Sequence, residues 1–261
     1  LTPFWGLCGF REVPEILFFL ERLCPRTLAP EMAALLSAPP DEAIRRFYRS
    51  FMTLPAKTRR EALTEGLANA SARTGEHPVF RWIARLHEAC PNDISVLSPA
   101  FLNLFRLQPG EALFLPAGEL HAYLDGVGVE LMANSDNVLR GGLTGKHMDV
   151  PELLRILRTE PRPLAPMLPK AVSAWEAAYP SKAREFRLSV ISVPGGAEGG
   201  VPMAVGGVEI LLCVDGGFDV VADSTGERTA LPRGGSVLVP AGVCGYTLRG
   251  RGKIFRASVP G

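Results

Sequence analysis

The segment GEALFLPAGELHAYLDGVGVELMANSDNVLRGGLTGKH, residues 110–147, carries the most informative pattern in this chain. Residues alternate in character from Ala112 to Pro116, and a Pro-Ala-Gly triplet then interrupts the run, which predicts a strand followed by a turn. A second strand is predicted over His121–Leu124 and a third over Val127–Asn134, with Asp125-Gly126 as the hairpin turn between them. This segment is therefore predicted to be a small antiparallel sheet.

The polar side chains of this segment are predicted to share one surface. Alternation along a strand places His121 and Tyr123 on the face opposite Leu124. Glu130 lies on the next predicted strand, and Arg140 follows in a polar, glycine-rich loop. Short strands joined by tight turns would bring these groups to one concave surface, which suits a metal ion and a small polar substrate.

Composition excludes several classes of partner. The chain has 261 residues, of which 47% are hydrophobic, and a formal net charge of +1, so one to three domains with a large core are expected. Near-neutral charge argues against nucleic-acid binding, and no apolar run approaches the roughly 20 residues that span a bilayer. The five cysteines form no CxxC pair, which predicts free thiols in a reducing cytoplasm.

The rest of the chain divides into a helical part and a β part. Helical spacing and capping residues predict helices over Val13–Leu23, Pro30–Leu36, Glu42–Phe51 (capped by Asp41), Ala56–Arg73, Pro78–Ala89 and a last segment capped by Asn92-Asp93 that runs toward Phe105. A further helix is predicted from Asp149 to Arg158, and prolines predict a stiff linker over residues 160–170. Glycine-rich turns separate the predicted strands Phe186–Ile191, Val208–Val214, Phe218–Ala222, Ser236–Val239, Tyr246–Leu248 and Ile254–Val259.

An internal repeat relates the two β parts. Gly110–Leu124 aligns with Gly234–Leu248 on a shared Pro-Ala-Gly triplet. In the second copy Gly245 stands where His121 stands in the first, and a threonine replaces Tyr123. We therefore expect two related β units, with the chemistry in the first and a structural role for the second.

The segment Gly126–His147 resembles the signature of type I mannose-6-phosphate isomerases, which are metal-dependent enzymes of the cupin fold. Leu1–Phe10 and Pro116–Gly126 are also similar to that family. The resemblance implies a mainly β protein with an α-helical insertion, in which cupin (jelly-roll) β-sandwich units, the first one incomplete, accompany an all-α domain. The implied divisions are the end of an N-terminal cupin segment (1–10), a helical domain (11–105), a return to the catalytic cupin domain (106–159), a linker (160–184) and a C-terminal cupin-like β domain (185–261).

The resemblance also implies an activity and a cofactor. It implies an aldose–ketose isomerase that interconverts mannose 6-phosphate and fructose 6-phosphate through an enediolate, as a cytoplasmic monomer without nucleic-acid or membrane partners. It implies one zinc ion, with His121 as a ligand. In relatives the other ligands, a glutamine, a histidine and a glutamate, precede the position of Leu1, so this chain is expected to correspond to the C-terminal two-thirds of a longer protein.

Further site residues follow from the same motif. Arg140 is expected to stabilise the negative charge of the enediolate, and Lys146 to contact the substrate phosphate. Two nearby carboxylates would either relay protons or orient these cations; they are Glu130 and Asp136. The residues expected to line the substrate pocket are Tyr123 and Asn134.

Two other functions stay open at this point. The chain could be a truncated or degenerate cupin module that binds a sugar phosphate without turnover, because it supplies only one of the expected metal ligands. Another cupin enzyme, such as a dioxygenase, would need a His-x-His pair, which the sequence lacks.

Overall fold

The computed structural model describes residues 1–135, 138–195 and 197–260, which form a mixed fold of helices and antiparallel sheets. The helices are α1 (Val13–Leu23), α2 (Ala29–Leu35), α3 (Pro40–Met52), α4 (Ala56–Ser71), α5 (Pro78–Ala89), a 3-10 helix (Ile94–Ala100) and α6 (Val150–Ile156). The strands are β1 (Phe4–Phe10), β2 (Leu102–Leu107), β3 (His121–Asp125), β4 (Lys170–Ala171), β5 (Glu176–Ala178), β6 (Arg187–Val193), β7 (Val201–Ala204), β8 (Glu209–Ala222), β9 (Arg228–Pro232), β10 (Ser236–Val239) and β11 (Gly245–Ser258).

The first hydrophobic core joins the helices to a three-stranded sheet. In this sheet the order is β2-β1-β3, and both pairings are antiparallel. Aromatic rings fill the centre of the core, where the centroids of Phe51 and Phe101 are 4.9 Å apart and those of Phe10 and Tyr48 are 5.4 Å apart. Each fully buried ring of this kind stabilises the fold by about 1.5–3 kcal/mol, so the helices hold β1 firmly.

The second core belongs to the C-terminal β unit. Its sheet has the order β10-β8-β11-β6-β5-β4, with β7 added on β11 and β9 on β8, and every pairing is antiparallel. Inward-facing residues of the long strands alternate with exposed ones, as along β8 from Glu209 to Cys213. The five helices predicted between residues 13 and 89 are confirmed. Strands follow Glu185 as predicted, and the sheet also includes β4 and β5, which lie in the predicted linker.

Several strand and cap predictions are wrong. Ala112–Pro116 forms no strand, because only Ala112 pairs, in an isolated bridge with Met167. Val127–Asn134 is also not a strand, since it has no ladder partner in the described part of the chain. Alternation predicts an extended chain with two unlike faces, but a strand also needs a neighbour to hydrogen-bond with. Asp41 does not cap α3, which begins one residue earlier at a proline.

The segment boundaries also differ from the prediction. Helical structure was predicted to run toward Phe105, whereas β2 begins at Leu102, where the chain pairs with β1. The turn predicted at Gly216-Gly217 lies inside the continuous strand β8, which pairs along its length with the equally continuous β11. Glycine breaks many strands, but it also permits the bulge and twist that long paired strands require.

Candidate active site

Strand β3 presents His121 and Tyr123 on its exposed face. The strand pairs with β1, where His121 lies opposite Cys8. His121 and Tyr123 are exposed, whereas Ala122 and Leu124 pack against the first core, so the predicted alternation is confirmed. The core therefore anchors one face of β3 and leaves the imidazole and the phenol on the other.

The orientation of the His121 ring depends on the residue two positions before it. Nδ1 of His121 lies 2.9 Å from the backbone oxygen of Glu119, so Nε2 is the ring nitrogen that this contact does not use. The Glu119 carboxylate is buried and accepts from Nε of Arg162 at 2.8 and 3.0 Å. Gly9 makes room for it, because a Cβ at this position would lie 2.3 Å from the Glu119 carboxylate. Arg162, in the proline-rich residues 160–170, thus binds Glu119 directly before β3 and holds the start of that strand in place.

Tyr123 links His121 to one of the predicted carboxylates. Its hydroxyl donates to Oε1 of Glu130 at 2.6 Å, and its ring centroid lies 5.7 Å from that of His121. Partial burial, and then the bond to Glu130, raise the pKa of Tyr123, so the hydroxyl stays protonated as a donor. Among the described contacts, the Glu130 carboxylate accepts from Tyr123, and no contact with Arg140 or Lys146 is seen that would show it orienting either cation.

The two predicted cationic groups are open to solvent. Arg140 and Lys146 are exposed, and within the described ranges neither side chain makes an ion pair. Asn134 is exposed on a bend before them. Asp136 lies outside the described residues. Both cations are therefore available to a dissolved anion such as a phosphorylated sugar.

The backbone after Arg140 rests on the start of β3 and on α3. A Cβ at Gly141 would lie 2.4 Å from Cδ1 of Leu120, the residue before His121. The carbonyl of Gly141 accepts from the buried hydroxyl of Tyr48 at 3.2 Å. Tyr48 was absent from the predicted site, because its helical spacing marks it only as a core residue. The structure thus brings the Arg140 loop against the strand that carries His121.

The described residues do not form a complete metal site. Across residues 1–135, 138–195 and 197–260, no group of three or more histidine, cysteine, aspartate or glutamate side chains is placed to hold a metal ion. His121 alone does not hold zinc, because affinity comes from several fixed ligands acting together. In the same ranges, no helix is both long and apolar enough to cross a membrane.

Comparison with known proteins shows which solved structure this fold is similar to. No protein-family model matches the chain. Its fold matches that of an isomerase, the apo form of mannose 6-phosphate isomerase from Salmonella typhimurium, with a TM-score of 0.86 and 31% identity over 99% of this chain and 64% of that one.

The sequence comparison identifies the family that the chain resembles. Mannose-6-phosphate isomerase of Salmonella typhimurium is 33% identical over 257 residues, which cover 98% of this chain and 63% of the relative. The enzyme from Bos taurus is 35% identical over 92% of this chain and 61% of its own length. The chain is thus similar to mannose-6-phosphate isomerases over nearly all of its length, as the motif predicted, and it spans less than two thirds of theirs.

Proposed function

We propose that the protein to which this chain contributes is an aldose–ketose isomerase that interconverts mannose 6-phosphate and fructose 6-phosphate. The observation that carries this proposal is the similarity to mannose-6-phosphate isomerases, which covers 98% of the chain. The exposure of His121, Tyr123, Arg140 and Lys146 supports it, since a phosphorylated sugar needs accessible cations for its phosphate and for the charge that develops on oxygen.

Each residue has a role in this proposal that follows from its environment. Isomerisation moves a proton between C2 and C1 through an enediolate, whose oxygen carries negative charge. The exposed guanidinium of Arg140 stabilises that oxygen, and Lys146 binds the phosphate. Glu130, whose carboxylate accepts from Tyr123, takes part in proton transfer, and Asn134 lines the pocket.

The finer assignments are part of the same proposal. His121 supplies one ligand of a zinc ion, whose site the described residues do not complete. The β units are of the cupin (jelly-roll) type. The chain consists of the end of an N-terminal cupin segment (1–10), a helical domain (11–105), a return to the catalytic cupin domain (106–159), a linker (160–184) and a C-terminal cupin-like β domain (185–261). The enzyme acts as a cytoplasmic monomer; the five free cysteines support a reducing compartment.

The test is the formation of fructose 6-phosphate from mannose 6-phosphate by the product of the complete gene, with and without a metal chelator. Arg140→Ala should lower kcat by about 10²- to 10³-fold, the usual effect of removing one group that stabilises a developing oxyanion. Arg228→Ala is the matched control, because Arg228 is an exposed arginine of the C-terminal β unit that pairs with Asp219.

Two results would count against the proposal. The first is an intact protein that forms no fructose 6-phosphate, which would favour the non-catalytic sugar-phosphate module. The second is an Arg140→Ala variant with the same kcat as the control. The comparisons do not favour the non-catalytic alternative, since the similarity runs through the whole segment that contains His121 and Arg140.

A further inference from the structure

The loop that carries Arg140, residues 138–146, contains an unusual backbone conformation. Leu143 has a φ of +56°, and it is the one residue other than glycine with positive φ in the described part of the chain. This left-handed conformation costs an ordinary L-residue free energy, because Cβ approaches a backbone oxygen. Such a residue persists only where its surroundings hold it in place.

Asp93 stabilises the left-handed conformation of Leu143 by a hydrogen bond. Its Oδ2 accepts a hydrogen bond from the backbone N–H of Leu143 at 2.7 Å, while its Oδ1 caps the 3-10 helix by accepting from the N–H of Ser95 at 2.8 Å. One half-buried carboxylate therefore joins the end of the helical segment to a loop 50 residues further along the chain. Hydrogen bonds to a charged acceptor are stronger than neutral ones, so this joint is well suited to hold a strained backbone.

The two residues before Leu143 also contact helices, Gly142 the 3-10 helix and Gly141 helix α3. Gly142 has a φ of +119°, and a Cβ there would lie 2.0 Å from Oγ of Ser95, so its backbone lies directly against the 3-10 helix. The carbonyl of Gly141 accepts from the hydroxyl of Tyr48. Burial, and then the negative charge of Asp93, raise the pKa of Tyr48, so this hydroxyl remains a donor.

The loop is more exposed on the far side of this contact. Among the described residues, no atom lies within 4 Å of a Cβ placed at Gly145, and Lys146 is exposed. A cavity of about 440 Å³ lies between Thr144-Gly145 and the start of the 3-10 helix. The segment is thus held at residues 141–143, directly after Arg140, and exposed at Gly145 and Lys146.

We propose that Asp93 is a positioning residue for Arg140: by holding Leu143 in its left-handed conformation, it sets the course of the backbone that carries the guanidinium. The proposal rests on the proposed isomerase function, in which Arg140 stabilises charge in the transition state. Transition-state stabilisation depends steeply on geometry, and a displacement of about 1 Å can cost about 100-fold in rate. Asp93 itself touches no substrate in this scheme.

The test uses Asp93→Ser in the complete protein. Serine still caps the 3-10 helix through its single oxygen, but it has no second oxygen for Leu143. We expect kcat to fall by about 10- to 100-fold while KM changes by less than about threefold, because Arg140 acts mainly in the transition state. Adding Leu143→Gly should restore part of the lost kcat, since glycine adopts a left-handed backbone without the steric cost.

A second measurement is independent of activity. Hydrogen exchange of the peptide that covers residues 138–147 should become faster in Asp93→Ser, with exchange in the C-terminal β unit unchanged as the internal control. Unchanged exchange in that peptide would overturn the inference whether or not the protein is an isomerase. Faster exchange with an unchanged kcat, or a lost kcat that Leu143→Gly does not improve, would overturn the positioning role and leave the proposed function standing. A wild-type protein without isomerase activity would instead refute the proposed function, together with the positioning role that rests on it.

Discussion

The buried ion-pair network of the C-terminal β unit permits a quantitative prediction for Arg256→Met. Nε of Arg256 donates to Oε2 of Glu209 at 2.9 Å, and its Nη1 donates to Oε2 of Glu176 at 3.1 Å. The side chains of these three residues are 12%, 1% and 11% exposed. The hydroxyl of Tyr246 also donates to Glu209, and the carbonyl of Ala204 accepts from the guanidinium. Two carboxylates therefore depend on one buried cation.

Methionine would fill the space of Arg256 but leave both carboxylates without their counter-charge. Breaking a buried ion pair by removing one partner costs about 3–5 kcal/mol, because an uncompensated charge remains in a medium of low polarity. A total stability of about 5–15 kcal/mol is typical of a domain, so this loss would be a large fraction of it. Trp175 packs against the same core, whereas Trp5 and Trp82 contact each other in the other unit. Fluorescence in a background with Trp5 and Trp82 replaced by phenylalanine therefore reports the unfolding of this unit in a urea titration.

The control is Arg256→Met combined with glutamine at both glutamate positions. This removes the two unpaired charges and should recover most of the lost stability. A loss below about 1 kcal/mol at pH 7 for Arg256→Met alone would refute the reasoning.

Three further predictions concern the region around β3 and the cysteines. Gly9→Ala should destabilise the fold by about 1–3 kcal/mol, because φ at this position is +63° and the new Cβ would lie 2.3 Å from a buried carboxylate; an unchanged melting temperature would contradict this. At pH 8 a thiol reagent should label the exposed Cys244 in the native protein, and Cys8 only after unfolding, because burial raises the pKa of Cys8 to about 12. Peptide mapping locates the label, and rapid labelling of Cys8 in the native protein would contradict this prediction. Tyr123→Phe removes the hydrogen bond to Glu130 at a half-exposed site, so the free energy of unfolding, measured by thermal denaturation, should fall by about 0.5–1.5 kcal/mol. A larger loss would contradict this local role of the bond.

The helical segment was the most predictable part of the fold. α1 and α5 begin and end at the residues that the pattern predicted, because apolar spacing and an early proline are signals local to the helix itself. The caps at Asp93 and Asp149 were predicted for the same reason, and both side chains accept from backbone N–H groups as expected. Strand β10 also matches its prediction.

The strands predicted within residues 112–134 show where local patterns stop being sufficient. Only β3 forms there, because only that stretch finds a ladder partner, in β1. β1 itself was not predicted, since the partner that makes it a strand begins 92 residues after its own end, at Leu102. The same limit applies to β8, where the pair Gly216-Gly217 predicts a turn although the strand continues along its neighbour β11.

The sequence by itself determined the family resemblance, the helices and the identity of the candidate residues, because side-chain types and their spacing are properties of the chain. Only the tertiary structure decided what holds those residues. The contact of Asp93 with Leu143, that of Tyr48 with Gly141 and that of Arg162 with Glu119 each join positions at least 43 residues apart. No periodicity encodes such contacts, since they depend on which segments the two hydrophobic cores bring together.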